Sequence, residues 1–504
     1  HSDNMKRLLY YIISMIVFFS SVSCDKWLEA TSSSQVSDEK MFSTKSGFHE
    51  ALTGVYISMA SADCYGRNFT FYANELSAVR YNTVESNAFK IWLQHSFDDV
   101  TATACIESMW QSAYFTIANA NKILKELERH RGNVMADDWE YNMVRGEMLA
   151  VRAFVHFDLM RMFGLAEWTG ENSGKLTIPY VTEYTLASTA QKSYADTKAL
   201  LLKDIEDALK CLEFDPVLGI YPEDFDTNYN ADGFWSNRRY HLNYYAVKAL
   251  AARVMLWAGN YDEAVKYASD VIEKSLERLG IVKWIDPDAE IKKTDNDKKD
   301  WSFSSEHIFS LDVNDLYSLT SGYCFGGTDI NMTIASDVVE EELFLRDIYG
   351  LDNNDGAEDI RGYAMLLKYG GKGYQSYKLY SSSSMAAEYR NRMPMIRISE
   401  MYYILAFVSA VNGDLDSMKE NIIAVMSHRG YTNVGFDGFS EYDMKGEFLV
   451  ELSREFLGEG QLFYWYRLYE RLKYQSPITI MNNTSGLMYP YPTSETSYGH
   501  VQEK

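Results

Sequence analysis

Apolar residues recur at three- and four-residue spacing along most of the chain, the mark of amphipathic helices. The sharpest run is Arg145–Gly164, RGEMLAVRAFVHFDLMRMFG, with no proline and no internal glycine except Gly146 near its start. Leu149, Ala153, Phe154, Phe157, Met160 and Phe163 fall at helical spacing, and Gly164 is a usual terminator. The polar residues form two narrow stripes, Arg145, Arg152 and His156 on one, Glu147, Asp158 and Arg161 roughly opposite. A helix apolar on both flanks is sandwiched between others, so this stretch is predicted to be a buried scaffold helix with paired charges. Further helices are predicted at Phe48–Met59, Ile106–Arg129, from Asp138 into the central run, and at Tyr194–Leu212, His241–Ala258, Tyr261–Leu279, Arg397–Val411 and Leu415–Gly430. Glu447–Lys473 reads as one last long helix or a broken pair.

The pattern fails elsewhere. Residues 61–104 mix aromatics with Asn, Ser and Asp without a clean period, which predicts loop with short strands. Leu176–Ser193 and Asp286–Asp300 read as non-helical connections, the second highly charged. Trp301–Ser384 is rich in Gly, Ser and Tyr and predicts an irregular subdomain with short strands around His307–Val313. The tail from Ser476 reads as irregular.

Two helix-to-helix turns look alike: Gly259-Asn260-Tyr261-Asp262 and Gly413-Asp414-Leu415-Asp416. Glycine permits a left-handed turn, Asn or Asp caps the next helix, and an acid in its first turn suits the helix dipole. The unit resembles a tetratricopeptide hairpin. Pairs are expected over 106–163, 194–258, 241–279 (sharing the helix at 241–258) and 397–430. The predicted fold is therefore mainly α, a tetratricopeptide-like scaffold of about four helical pairs with an irregular, loop-rich subdomain containing short β strands.

Composition narrows the partners. The 504-residue chain carries a net charge of −23, which argues against nucleic acid or an anionic surface and suits a neutral or basic ligand. Its 38 tyrosines leave some for a binding face as well as the core. Of the five cysteines, Cys64, Cys105, Cys211 and Cys324 are scattered and form no C-x-x-C pair, so buried free thiols are the expectation. Lys6 and Arg7, the apolar run Leu8–Phe19 and the small residues before Cys24 follow the order of a signal peptide. Residues 1–4 precede Met5 and read as an extension. Ser-Val-Ser-Cys resembles a bacterial lipobox, which makes Cys24 the expected lipidation site and predicts a lipid anchor. The expected division is 1–23 signal peptide, 24–40 lipid tether and 41–504 one domain.

No H-E-x-x-H, G-x-S-x-G or Walker A pattern occurs. His156 has no second histidine at metal spacing and is read as structural. Asp352–Gly356 with Glu358 has the oxygen density of a calcium loop but not its spacing, so a solvated turn is expected. No catalytic residue, metal or cofactor is predicted. What remains is a binding face. A sugar offers an apolar C–H face to an aromatic plane and hydroxyls to amides and charges. Tyr65, Tyr72 and Trp92 with Asn74, and Trp301, Tyr317 and Tyr323 with Asn314, supply that mixture and are the candidate ligand-binding residues.

Four segments in order resemble the SusD/RagB family of outer-membrane nutrient-uptake lipoproteins. They are Cys24–Glu29 with Ala51–Tyr56; Glu147, Arg152, Ala153, Leu159, Arg161 and Gly164; Pro394, Arg397, Glu400 and Ala406; and Glu451, Arg454, Glu455, Phe456, Glu459 and Gly460. Leu462, Phe463, Trp465 and Tyr466 depart from the family pattern. The resemblance implies a helical scaffold at about 41–60, 105–280 and 395–475, carrying a variable ligand face at about 61–104 and 285–390. It implies a non-enzymatic, lipid-anchored outer-membrane protein exposed at the cell surface. That protein would capture a glycan and act as a lid on a partner, a SusC-like TonB-dependent transporter. A peptide-binding uptake lipoprotein, a secreted helical glycosidase and a scaffold binding only proteins are the alternatives.

Overall fold

The computed structural model describes residues 38–78, 81, 87–325, 332, 359–368, 374–432, 434–475 and 487–499. The signal-peptide segment, Cys24, the Asp352–Glu358 stretch and the glycine-rich Gly370–Gly373 lie outside these residues.

The early helices are α1 (Lys45–Met59), α2 (Ala73–Ala78), α3 (Asn87–Leu93) and α4 (Val100–Arg129). The central run forms α5 (Asp138–Phe163), buried along nearly all of its length. Asp137 caps it by accepting from the Glu140 amide at 3.1 Å, with Asp138 and Glu140 in the first turn. Helix α6 (Tyr194–Cys211) packs on α5, as α4 does. The second half adds α7 (Tyr244–Trp257) and α8 (Tyr261–Val271), then α11 (Ile398–Asn412) and α12 (Leu415–Met426), each pair a hairpin. The turn glycines Gly259 and Gly413 both sit at φ +72°, where a side chain would be strained, so the two look-alike sequences make the same turn. Helices α8 and α11 pack together and join the hairpins.

Between the hairpins run β1 (His307–Asp312), the short helices α9 (Leu316–Ser321) and α10 (Ile360–Tyr363), and β2 (Leu366–Lys368) paired with β3 (Tyr374–Ser376). Strand β4 (Arg392–Arg397) pairs antiparallel with β1, Asp312 opposite Arg392 and Ser310 opposite Pro394. The chain closes with α13 (Glu441–Phe456), α14 (Leu462–Tyr469) and α15 (Thr493–Tyr498). Glu447–Lys473 is thus the broken pair, interrupted where Gly458 and Gly460 adopt positive φ.

Two expectations are corrected. The tail from Ser476, expected to be irregular, carries the short helix α15. Residues 61–104 hold consecutive turns and the helices α2 and α3, with no strand among those described. Their aromatics lack a helical period because they face inward from turns as well as helices: Tyr65, Phe69, Phe71 and Trp92 are all core.

Most charged positions of the last three family-like segments are buried ionic links, while Asp25, Lys26 and Glu29 of the first lie outside the described residues. Glu147 accepts from Arg238 (2.5 Å), His241 (2.9 Å) and the Tyr56 hydroxyl (2.8 Å). Arg152 grips Asp204 at 2.7 and 2.6 Å, and Arg253 of α7 grips Glu400 of α11 at 2.5 Å twice. Glu455 lies among three guanidinium groups, those of Arg361, Arg397 and Arg429, while Glu451 takes Arg361 and Glu459 takes Arg397 and Lys378. Burying such charges is costly, so each needs its partners. Removing one partner typically costs about 3–5 kcal/mol. His156 is structural, as predicted: its Nδ1–H donates to the Arg152 carbonyl (2.8 Å) and its Nε2 accepts from the Val181 amide (3.0 Å). Burial pushes its pKa down to about 3, which keeps it neutral.

Candidate ligand-binding site

The β1–β4 ladder ends in a cleft. Past Asp312 the chain turns through Val313–Asp315 into α9, and the Val313 amide donates to the Asn391 carbonyl at 2.9 Å just before β4. Asn314 and Tyr317 are thereby brought beside Arg390 and Asn391. The serine run Ser381–Ser383 and Tyr380 complete a cleft of about 540 Å³, within the size range of small-ligand sites.

Tyr317 is the exposed aromatic of this cleft, 47% accessible. Its ring stands edge-on to Tyr380, centroids 6.1 Å apart, and 6.0 Å from Phe325. Behind them Phe325, Tyr377 and Tyr380 stack at 5.0–5.6 Å, with Trp301 at 5.5 Å from Tyr377. This backing holds the exposed ring in one orientation, so little freedom remains to be lost when a ligand ring lies on it. The polar wall is equally fixed. Asp297 accepts from the Tyr380 hydroxyl (3.1 Å) and the Ser382 hydroxyl (2.5 Å). Ser381 donates to the Asn391 side chain (3.1 Å), and Arg390 donates to the Ser383 carbonyl (3.2 Å). Asn391 and Asp315 both hold positive φ, at +61° and +50°, where Asn and Asp are tolerated best among side-chain-bearing residues. The cleft therefore offers one aromatic face ringed by amide, hydroxyl and guanidinium groups.

Of the predicted ligand residues, Asn314 and Tyr317 line this cleft. Tyr72 and Tyr323 also meet, ring to ring at 5.0 Å, in a separate half-buried cluster with Phe89 and Trp92. Tyr65, Asn74, Trp92 and Trp301 are corrected to core positions, each no more than 2% accessible. The Tyr65 hydroxyl donates to Asp158 (2.8 Å). Asn74 ties α2 to Tyr464 and Tyr489, at 3.0 and 2.8 Å. Trp301 hands its indole N–H to the Asn296 carbonyl at 2.9 Å. Each polar tip that suggested a ligand contact is used up inside the protein. Sequence reading missed Tyr380, Ser381–Ser383, Arg390 and Asn391; the signal was there in Tyr380 leading a run of four serines.

The four cysteines at 64, 105, 211 and 324 are free thiols. Cys64, Cys211 and Cys324 are buried and Cys105 partly so, and burial raises the pKa of all four, which keeps them protonated.

The structure is a scaffold of helical hairpins with a cleft on the loops at the end of the β1–β4 ladder. A SusD-like family model, described as starch-binding and associating with the outer membrane, matches residues 26–216. The SusD-like protein P25 of Formosa agariphila is 23% identical over 167 residues, and P2 of the same organism 23% over 158. These alignments span 31% and 30% of the relatives' lengths. A crystal structure of a SusD superfamily protein from Bacteroides thetaiotaomicron superposes with a TM-score of 0.65 at 19% identity, covering 91% of this chain and 99% of that one. A laminarin-binding SusD-like protein superposes with a TM-score of 0.60 at 17% identity, covering 91% and 98%. The fold is the one seen in solved SusD superfamily structures, and residues 26–216 carry the SusD-like sequence match.

Proposed function

We propose that the protein captures an oligosaccharide or polysaccharide at the cell surface and delivers it, uncut, to a SusC-like TonB-dependent outer-membrane transporter, over which it acts as a lid. The observation that carries this reading is the cleft at the end of the β1–β4 ladder. Tyr317 presents an open aromatic face there, and Asn314, Ser382, Arg390 and Asn391 line the same cleft with groups that can hydrogen-bond a sugar's hydroxyls. The starch-binding description of the matching family model and the laminarin-binding fold neighbour support a carbohydrate as cargo. Lipid attachment at Cys24 would hold the protein on the outer membrane beside its transporter. The closely packed helical frame suits a lid.

Calorimetric titration with a panel of soluble polysaccharides tests the capture step, and co-purification from outer membranes tests the partner. Binding to at least one neutral glycan, weakened in Tyr317→Ala, is expected. Tight peptide binding with no response to any glycan would transfer the site to the peptide-uptake reading. Reducing ends released from a glycan by the pure protein would revive a glycosidase.

A further inference from the structure

Arg390 and Asn391 face the cleft of Tyr317, but the next residue, Arg392, faces a different and larger one. The two clefts thus share the entrance to β4 as a wall. The second cleft, of about 930 Å³, lies between the 216–240 connection and the start of β4. Its aromatic side is Tyr221, which is exposed, and Phe225, with ring centroids 5.0 Å apart. Its inner side is Tyr240 with Arg239 and Arg392.

The arginines distinguish this cleft. The guanidinium of Arg392 lies over the Tyr240 ring, 3.8 Å from its centroid, and donates to the Glu388 carbonyl at 3.0 Å and more weakly to Ser310 Oγ at 3.5 Å. Arg239 donates to the Ser304 carbonyl at 2.9 Å. A guanidinium has five N–H donors, so both keep donors to offer. Neither meets a carboxylate within ion-pair distance among the described residues, whereas the neighbouring Arg238 is paired with Asp215 and Glu147. In a chain with 71 acidic residues against 48 basic ones, two adjoining, largely buried arginines without a carboxylate partner are a marked exception. Burial lowers the pKa of each, and their mutual repulsion adds to this at Arg392. The nearest carboxylates, Asp300 and Asp312, attract the two arginines from a distance but form no ion pair with either. Asp300 is buried, accepts from the Ser304 hydroxyl at 2.8 Å, and has its pKa raised to about 6 by burial, while Asp312 is likewise raised. Asp224 and Asp226 stand exposed at the mouth. Asp215 and Glu147 are committed to Arg238.

We propose that this second cleft binds an acidic sugar residue, its carboxylate or sulfate held by the guanidinium groups of Arg239 and Arg392 and its ring set against Tyr221 and Tyr240. Planar forks match the oxygens of either group, and partial burial strengthens the attraction. The negative net charge disfavours a polyanion, and Asp224 and Asp226 at the mouth repel one further. The cargo that fits is a largely neutral glycan bearing occasional acidic units, its neutral stretch crossing the shared wall to Tyr317. The saccharide part of this statement rests on the glycan-capture reading; the oxyanion part stands on the two arginines alone.

The test is calorimetric titration of the whole protein with trigalacturonate, glucose 6-sulfate, inorganic sulfate and a neutral laminarin oligosaccharide, repeated in Arg239→Gln, Arg392→Gln, Arg392→Lys and Tyr317→Ala. At least one of the two acidic sugars is expected to bind. Its affinity should fall by about tenfold or more in either Gln variant, fall with added salt, and be partly retained in Arg392→Lys. Whichever of the two binds more tightly identifies carboxylate or sulfate as the group read. Binding of inorganic sulfate without either sugar would overturn the assignment to a saccharide. Binding unchanged in Arg239→Gln and Arg392→Gln, with both folded by thermal melt, would overturn the site, as would no binding of any acidic probe to the wild type. Neutral-oligosaccharide binding that is lost in Tyr317→Ala, together with no binding of any acidic probe to the wild type, would leave glycan capture standing while this proposal fell.

Discussion

Arg429 and Glu306 meet fork to fork, with both nitrogen–oxygen contacts at 2.7 Å, across 123 residues of chain. Both are fully buried, and Arg429 also grips Glu455 at 2.9 and 2.7 Å. The pair joins the end of the α12 hairpin to the turn before β1, and so fixes the ladder whose far end forms the Tyr317 cleft. Arg429→Met would leave two carboxylates buried with one partner fewer. It should lower stability by about 3–5 kcal/mol, read from urea unfolding. Adding Glu306→Gln should recover part of that loss, because one of the stranded charges is then gone.

Glu147 sets an acid limit. Burial alone would raise its carboxyl, but Arg238 and His241 overcome this and hold it at about 2, below the ordinary 4.5. A carboxyl depressed on folding contributes stability that is fully present above the unfolded value and is lost as pH falls toward the folded one. The wild type should therefore lose of the order of 3 kcal/mol from this group between about pH 4.5 and pH 2. Glu147→Gln should be the less stable protein at pH 7 and show a flatter decline over that window. Equal slopes in melts at stepped pH would contradict the assignment.

Gly458 and Gly460 both have positive φ, +81° and +69°, but differ in surroundings. A Cβ on Gly458 meets nothing within 4 Å, whereas one on Gly460 would sit 2.3 Å from the Thr70 carbonyl oxygen. Gly458→Ala should cost about 1–2 kcal/mol, the strain of a left-handed side-chain-bearing residue. Gly460→Ala should cost clearly more, because backbone must move. Melting temperatures of the two variants, measured side by side, decide it.

Tyr317 and Trp301 belong to one aromatic cluster but should respond in opposite ways. Tyr317→Ala removes an exposed ring, so stability should change by no more than about 1 kcal/mol, while glycan affinity falls roughly tenfold. Trp301→Ala empties a core site and should cost about 3–5 kcal/mol of stability. A paired melt and titration of each variant separates the two roles.

The scaffold was legible because its signals are local. The helical period of Arg145–Gly164, the twin turns at Gly259 and Gly413, and the acids that start the helices are all written within a turn or two of chain. Burial is not local. Trp92 and Trp301 have the composition of a ligand face, yet segments distant in sequence cover them, Tyr489 packing 6.0 Å from Trp92 and Tyr377 beside Trp301. The site was half legible for the same reason. Asn314 and Tyr317 follow a readable strand, but their partners Tyr380, Arg390 and Asn391 arrive only through β1–β4 pairing, and nothing in the period of residues 385–397 announces a strand. The charged signature positions were legible as a pattern, but their pairing, such as Arg253 with Glu400, was not.

Asn74 leans on Tyr464 and Tyr489, and Glu75 accepts the amides of Gly458 and Gly460 at 2.7 and 2.9 Å. Arg467 in turn donates to the carbonyls of Arg161 and Gly164. A polypeptide made from its amino terminus would thus keep its opening third unsealed until its last hundred residues arrive. Completion of the fold waits on the final stretch, and anything that stalls that stretch leaves the first helices open to proteases.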